Sequence, residues 1–154
     1  MRLWHKDLIH FLPRQQLVAQ YRELCSIAKD WDEKDTTNHV LINKVMDYPV
    51  SHLYAYTAIV KDEMKNRKYT MRKDAWERFV NHCIAIRERE TEDKQWTITE
   101  DKQMISVSYT ELFEHWHTDR YLKQCLYNLQ EKYDCGGISQ EDWDKIEEHF
   151  SWVL

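Results

Sequence analysis

Glycine and proline are nearly missing from this chain, with two of each among 154 residues. An all-β sandwich or barrel needs such turn residues at short, regular intervals, so that class is excluded. The same scarcity removes the glycine-rich phosphate loops of Rossmann and P-loop enzymes, since neither G-x-G-x-x-G nor G-x-x-x-x-G-K-[S/T] occurs. No apolar run approaches the roughly 18 residues of a membrane span, and the start Met1-Arg2-Leu3-Trp4-His5-Lys6 lacks the apolar stretch of a signal peptide. A cytoplasmic protein without a membrane partner is expected. Cys25, Cys83, Cys125 and Cys135 form no C-x-x-C pair, so neither a disulfide framework nor a zinc ribbon is signalled. The first three fall on apolar helical stripes and read as reduced core residues. His115-Trp116-His117 matches no common zinc spacing and there is no G-x-S-x-G elbow, so no metal and no serine triad are expected.

What is present is material for a core. Apolar residues make up 42%, including seven Trp, nine Tyr and four Phe, which is ample for one domain over residues 1–154. The net charge of -5 is unevenly placed. Residues 1–29 carry five basic side chains against two acids, and the stretch 64–73 holds Lys65, Arg67, Lys68, Arg72 and Lys73 with no acid. The last 55 residues hold twelve acids against five bases, with Glu141, Asp142, Asp144, Glu147 and Glu148 close together. A phosphate-binding surface needs local rather than global positive potential, and the N-terminal half offers one, although a charge run is also what a solvated helix end looks like.

Helical periodicity dominates the chain. After Leu12-Pro13, the positions Leu17, Val18, Tyr21, Leu24, Cys25 and Ala28 trace one face of a first helix. At roughly 100° per residue Glu23 points about 160° away from that face, toward solvent or a ligand. Residues 30–48, with their acidic start, read as irregular. A second helix is predicted from about Pro49 to Asn66, carrying Leu53, Tyr56, Val60 and Met64 inward. A third starts at Asp74, with Asp74 and Glu77 as a capping-box pair, and buries Phe79 or Val80 and Cys83. Ile105, Val107 and Tyr109 alternate with serines and suggest a short strand or extended connector. Helical period resumes after Thr110 and stops at Gly136-Gly137, and Ser139 with Asp142 opens a last helix that buries Trp143, Ile146, Phe150 and Val153. The expected fold is all-α, a single domain of five or six helices.

The N-terminal residues carry a more specific signal. Met1-Arg2-Leu3-Trp4-His5, Leu8-Ile9, Leu12-Pro13-Arg14-Gln15-Gln16-Leu17 and Gln20-Tyr21-Arg22-Glu23 resemble the bacterial branch of the pyrimidine-dimer DNA glycosylase family, the endonuclease V type. A weaker similarity continues through His39-Val40 to Glu63-Met64-Lys65-Asn66-Arg67-Lys68-Tyr69, where relatives have Lys-Arg-Gly-aromatic, and fades beyond about residue 75. The resemblance implies a multi-helical repair enzyme acting as a monomer on damaged double-stranded DNA, with neither metal nor organic cofactor. It implies base excision and abasic-site cleavage through a Schiff base on the N-terminal α-amino group, with Glu23 as the assisting carboxylate. Arg2 blocks removal of the initiator, so the amine is that of Met1. DNA contacts are implied for Arg2, Arg14, Gln15 and Arg22 and for the basic group Lys65, Arg67 and Lys68. Ser26 and Gln16 stand where the family has an arginine and a histidine, and an acidic helix replaces a basic aromatic tail. Two other functions fit the residues: a non-catalytic DNA- or protein-binding module that keeps the fold, and an abasic-site lyase with another lesion preference.

Overall fold

Each of the two prolines stands immediately before a helix. In the computed structural model, which describes residues 2–93 and 106–154, Pro13 precedes α1 (Arg14–Lys34) and Pro49 precedes α2 (Val50–Asn66). Extended backbone at a proline followed by helix is a low-strain start, because the ring fixes φ and the missing N–H would have had no partner in the first turn. α3 (Lys73–Asp93) packs on both, so that α1, α2 and α3 form a three-helix core. α4 (Asp119–Asp134) and α5 (Gln140–Phe150) complete the fold, with α5 lying on α4 and on a 3-10 turn at Lys6–Phe11. A second 3-10 turn, Ile42–Asp47, joins α1 to α2. Among the described residues there is no strand.

The stops are as specific as the starts. Gly136 has φ +81° and closes α4 with two hydrogen bonds, Gly136 N–H to Tyr133 O at 2.9 Å and Gly137 N–H to Lys132 O at 2.8 Å, the paired pattern of a Schellman end. α2 ends the same way, through Lys68 N–H to Lys65 O and Tyr69 N–H to Met64 O, but the left-handed position is Lys68, at φ +63°. A glycine there would adopt the same conformation without the Cβ strain. Ser139 caps α5 by accepting the Asp142 N–H, as expected, and Thr118 caps α4 by accepting the Tyr121 N–H.

Four sequence expectations are corrected. α1 runs on through the acidic cluster to Lys34 because Trp31, one turn after Ile27, is itself buried, and Asp32 is held by His82 at 2.7 Å and Arg89 at 2.8 Å. α3 begins at Lys73, and Asp74 lies in its first turn bonded to Arg72 and Arg78 instead of capping it. Residues 109–117 are successive turns, with Phe113 at φ +48°, and α4 starts only at Asp119. Cys25 is half-buried, whereas Cys83 and Cys125 are core. Of the alternating stretch, Ile105 lies outside the described residues and 106–108 are without regular structure.

Candidate active site

The N-terminal segment enters the core without regular structure, and a buried segment of that kind must find partners for its backbone groups outside itself. Leu3 and Trp4 are buried. Trp4 N–H donates to Gln20 Oε1 on α1 at 2.8 Å, and Tyr56 on α2 donates its hydroxyl to the Trp4 carbonyl at 2.5 Å. Tyr121 on α4 donates to the Leu3 carbonyl. Lys6 N–H donates to His117 Nδ1 at 3.0 Å, and its ammonium reaches the carbonyls of Tyr109 at 2.6 Å and Leu112 at 2.9 Å. Three helices and the 109–117 turns thus hold one short segment of chain.

The histidines there are structural, and their partners fix the tautomers. His5 Nδ1 accepts the Asp7 N–H, so its proton sits on Nε2 and goes to the His117 carbonyl at 3.0 Å. His117 accepts at Nδ1 and keeps its proton on Nε2, which is buried without a partner. Burial, reinforced by the charges of His5 and Lys6, pushes the His117 pKa down to about 2. The ring stays neutral at any physiological pH.

Beside this strand lies a groove of about 1080 Å³. One wall is α1, through Arg14, Gln15, Gln16, Val18, Ala19, Arg22 and Glu23, which recur at spacings of three and four residues along one side of the helix. Arg2 and Trp4 close one end, Met64, Tyr69 and Thr70 after α2 form another side, and Asn128 and Lys132 reach in from α4. Glu23 is the only acid in a lining that holds three arginines and a lysine. Burial raises its carboxyl pKa, and the positive charge of Arg22 works against that rise. A carboxyl moved up toward neutrality can both hold and release a proton. Gln20 links it to the buried strand, its Oε1 on Trp4 N–H and its Nε2 3.4 Å from Glu23 Oε2.

Arg2, Arg14, Gln15, Arg22 and Glu23, all singled out in the sequence, meet in this groove. Met1 lies outside the described residues. Lys65 and Lys68 are exposed but do not line it. Arg67 differs most from expectation: its guanidinium is bonded to Glu63 at 2.8 Å, the Leu12 carbonyl at 2.7 Å and the His10 carbonyl at 3.1 Å, clamping the first 3-10 turn to α2. No residue of the acidic α5 lines the groove. Sequence reasoning missed Gln20, Tyr56, Tyr69, Asn128 and Lys132. Tyr56 was expected inward on α2, and Gln20 and Tyr69 lie in the segments that carry the resemblance, but none of the three was singled out for the site. Tyr69 holds Arg14 over its ring at 4.7 Å, which orients one groove arginine.

Among the described residues no three His, Cys, Asp or Glu side chains are grouped to hold a metal ion, and no helix is long and apolar enough to cross a membrane. Comparison with known families gives one match, to a family model described as pyrimidine dimer DNA glycosylase, over residues 1–77. That half of the chain supplies the buried strand, α1 and the Tyr69 side of the groove. No curated protein and no solved structure matches.

Proposed function

Because the chain belongs to the pyrimidine dimer DNA glycosylase family, we propose that it excises damaged bases from duplex DNA and then cuts the strand, with the groove beside Glu23 as the site of both steps. The nucleophile is the α-amino group of Met1. An α-amine has a pKa near 8, so an appreciable fraction is unprotonated at neutral pH, which is not true of a lysine.

The amine lone pair attacks C1′ of the damaged nucleotide as the bond from C1′ to the base breaks, and the base leaves with the bonding pair and takes up a proton. Opening of the sugar ring gives an iminium ion between the amine and C1′. Loss of a proton from C2′ expels the 3′ phosphate, and water then hydrolyses the imine and regenerates the amine. Glu23 stabilises the positive charge as it develops and carries protons in the ring opening and elimination, roles worth typically about 10² to 10⁴ in rate. Arg2, Arg14, Gln15 and Arg22 contact phosphates along the groove, and Lys65 and Lys68 extend the contacts beyond it; these position the duplex without reading its sequence. The protein acts in the cytoplasm as a monomer and needs no nucleotide cofactor.

The observation that supports this reading best is the Gln20 bridge, which ties the strand following Met1 to the half-buried carboxylate of Glu23. The test is borohydride trapping on an oligonucleotide with an abasic site. A covalent adduct on the N-terminal peptide is expected. Duplex binding without any adduct would make the protein a binding module, and cleavage at abasic sites but not at dimers would assign another lesion.

A further inference from the structure

Two arginines lie against the ring of Tyr69, and their surroundings differ. The Arg67 guanidinium, 6.0 Å from the ring centre, has its donors directed to Glu63 and to the carbonyls of Ile9, His10 and Leu12. Arg14, 4.7 Å over the same ring, is exposed, lines the groove and forms no hydrogen bond or ion pair among the described residues. The ring is placed by the turn that ends α2, where the Tyr69 N–H donates to the Met64 carbonyl at 3.0 Å after the left-handed Lys68. Arg67 also fixes where Arg14 begins, since the Leu12 carbonyl it holds at 2.7 Å belongs to the chain just before α1. Both ends of the Arg14–Tyr69 contact are therefore anchored, one by the α2 turn and the other by Arg67.

An arginine left loose on a helix surface loses its rotamer freedom when it binds, which weakens the contact. A guanidinium held over a ring has lost part of that freedom in advance. Contact with the ring face consumes none of the N–H donors, which keep the fork that matches two oxygens of a phosphate. Glu23 lies nine positions further along the helix, about 13 Å at 1.5 Å per residue, so a phosphate held by Arg14 flanks the reacting nucleotide. We propose that Arg14, held on Tyr69, clamps a phosphodiester of the bound duplex beside the lesion, and that Tyr69 and Arg67 are the positioning residues of that clamp. The inference rests on the duplex-binding reading of the groove. It gives Arg67 a part in binding without any contact to DNA.

The test is a double-mutant cycle on Arg14→Ala and Tyr69→Leu, read as affinity for a duplex holding one thymine dimer at several salt concentrations, with each melting temperature recorded. Tyr69→Leu keeps every charge and should weaken binding about fivefold at an unchanged salt slope. Arg14→Ala should weaken it further and make the slope shallower by about one unit. The double variant should bind no worse than Arg14→Ala, because the ring acts only through the arginine. Arg14→Lys, at an exposed position, should lose about as much as Tyr69→Leu, and it decides the question where Tyr69→Leu proves unstable. Tyr69→Phe should restore affinity to within about twofold of wild type. Arg67→Gln, measured below its melting temperature, should weaken binding with the wild-type slope; a shallower slope would make Arg67 a phosphate contact and overturn its positioning role. If the loss on Tyr69→Leu is undiminished in the Arg14→Ala background, the ring acts on the DNA itself and the clamp is wrong. The clamp is also wrong if Arg14→Lys binds like wild type, and the groove then stands provided that Arg22→Ala weakens binding. If wild type binds no duplex, both readings fall.

Discussion

Replacing Gln20 with methionine, which has nearly the same length and no amide, tests the link between the buried strand and the groove. The change removes the acceptor of the Trp4 N–H and leaves that group buried, whereas the Tyr56 hydroxyl keeps the Trp4 carbonyl. An unsatisfied buried donor costs about 1–3 kcal/mol. For a chain of this size each kcal/mol moves the melting temperature by about 2–4 °C, so a fall of roughly 2–12 °C is expected by calorimetry. The second readout is chemical. The strand loses one of its fixed points, and misplacement of a reacting group by about 1 Å can cost about 10²-fold in rate, so borohydride trapping should slow by one to two orders of magnitude at temperatures where the variant is fully folded. An unchanged melting temperature would mean that Gln20 does not carry the strand. A lower melting temperature with wild-type trapping would mean that the strand is held there for stability alone and that the amine is placed by other contacts.

Glu23→Gln keeps the shape and removes the charge, and strand cleavage should drop by about 10² or more; a wild-type rate would take Glu23 out of the site. Arg22→Ala should weaken duplex binding and make the salt dependence shallower by about one unit of slope, measured by titration at several salt concentrations. Lys68→Gly should stabilise the protein by about 1 kcal/mol in urea melts, because a left-handed residue with a Cβ is replaced by one without. Stability should decline with acid in a way that depends on His117. Its folded pKa lies at about 2 against an ordinary value of 6.5, so the unfolded chain takes up a proton that the folded one refuses. The contribution is whole above about pH 6.5 and is lost progressively below it, at up to about 1.4 kcal/mol per pH unit. His117→Asn, which keeps an acceptor for the Lys6 N–H, should flatten the decline between pH 6.5 and 4.5 in thermal melts.

The helices with complete local signals were legible from sequence. α2 and α5 have an unbroken apolar period, and the stop at Gly136-Gly137 needs nothing beyond those two residues. The end of α1 was not legible, because an acidic run looks like a loop until His82 and Arg89, some fifty residues away, are seen to hold Asp32. The turns at 109–117 have apolar spacing close to a helix, and the left-handed Phe113 that breaks them leaves no sign in composition. For the groove, the α1 face could be read from spacing and resemblance, since all seven of its residues lie within ten positions. Gln20 looked like one more polar residue on an amphipathic helix, and the α4 wall of Asn128 and Lys132 is reached only through the fold. Arg67 shows the opposite effect, in that composition placed it in a basic patch and tertiary structure turned it to Glu63 and to the carbonyls of Ile9, His10 and Leu12.

The long reach of the contacts that hold the N-terminal strand sets an order of events. Leu3 is fixed by Tyr121, 118 residues later, and Lys6 by His117, 111 residues later. During synthesis Trp4 can be held once α1 and α2 exist, whereas Leu3 has no partner until α4 has been made, and α1 waits with the Asn128 and Lys132 side of its groove open. The half of the chain that carries the family pattern, residues 1–77, contains the Gln20 and Tyr56 anchors of Trp4 but not those of Leu3 and Lys6. A chain cut short before Tyr121 would keep the groups that hold Trp4 and Lys6 and lose the one that holds the Leu3 carbonyl, so that the outermost part of the segment is the last to be fixed.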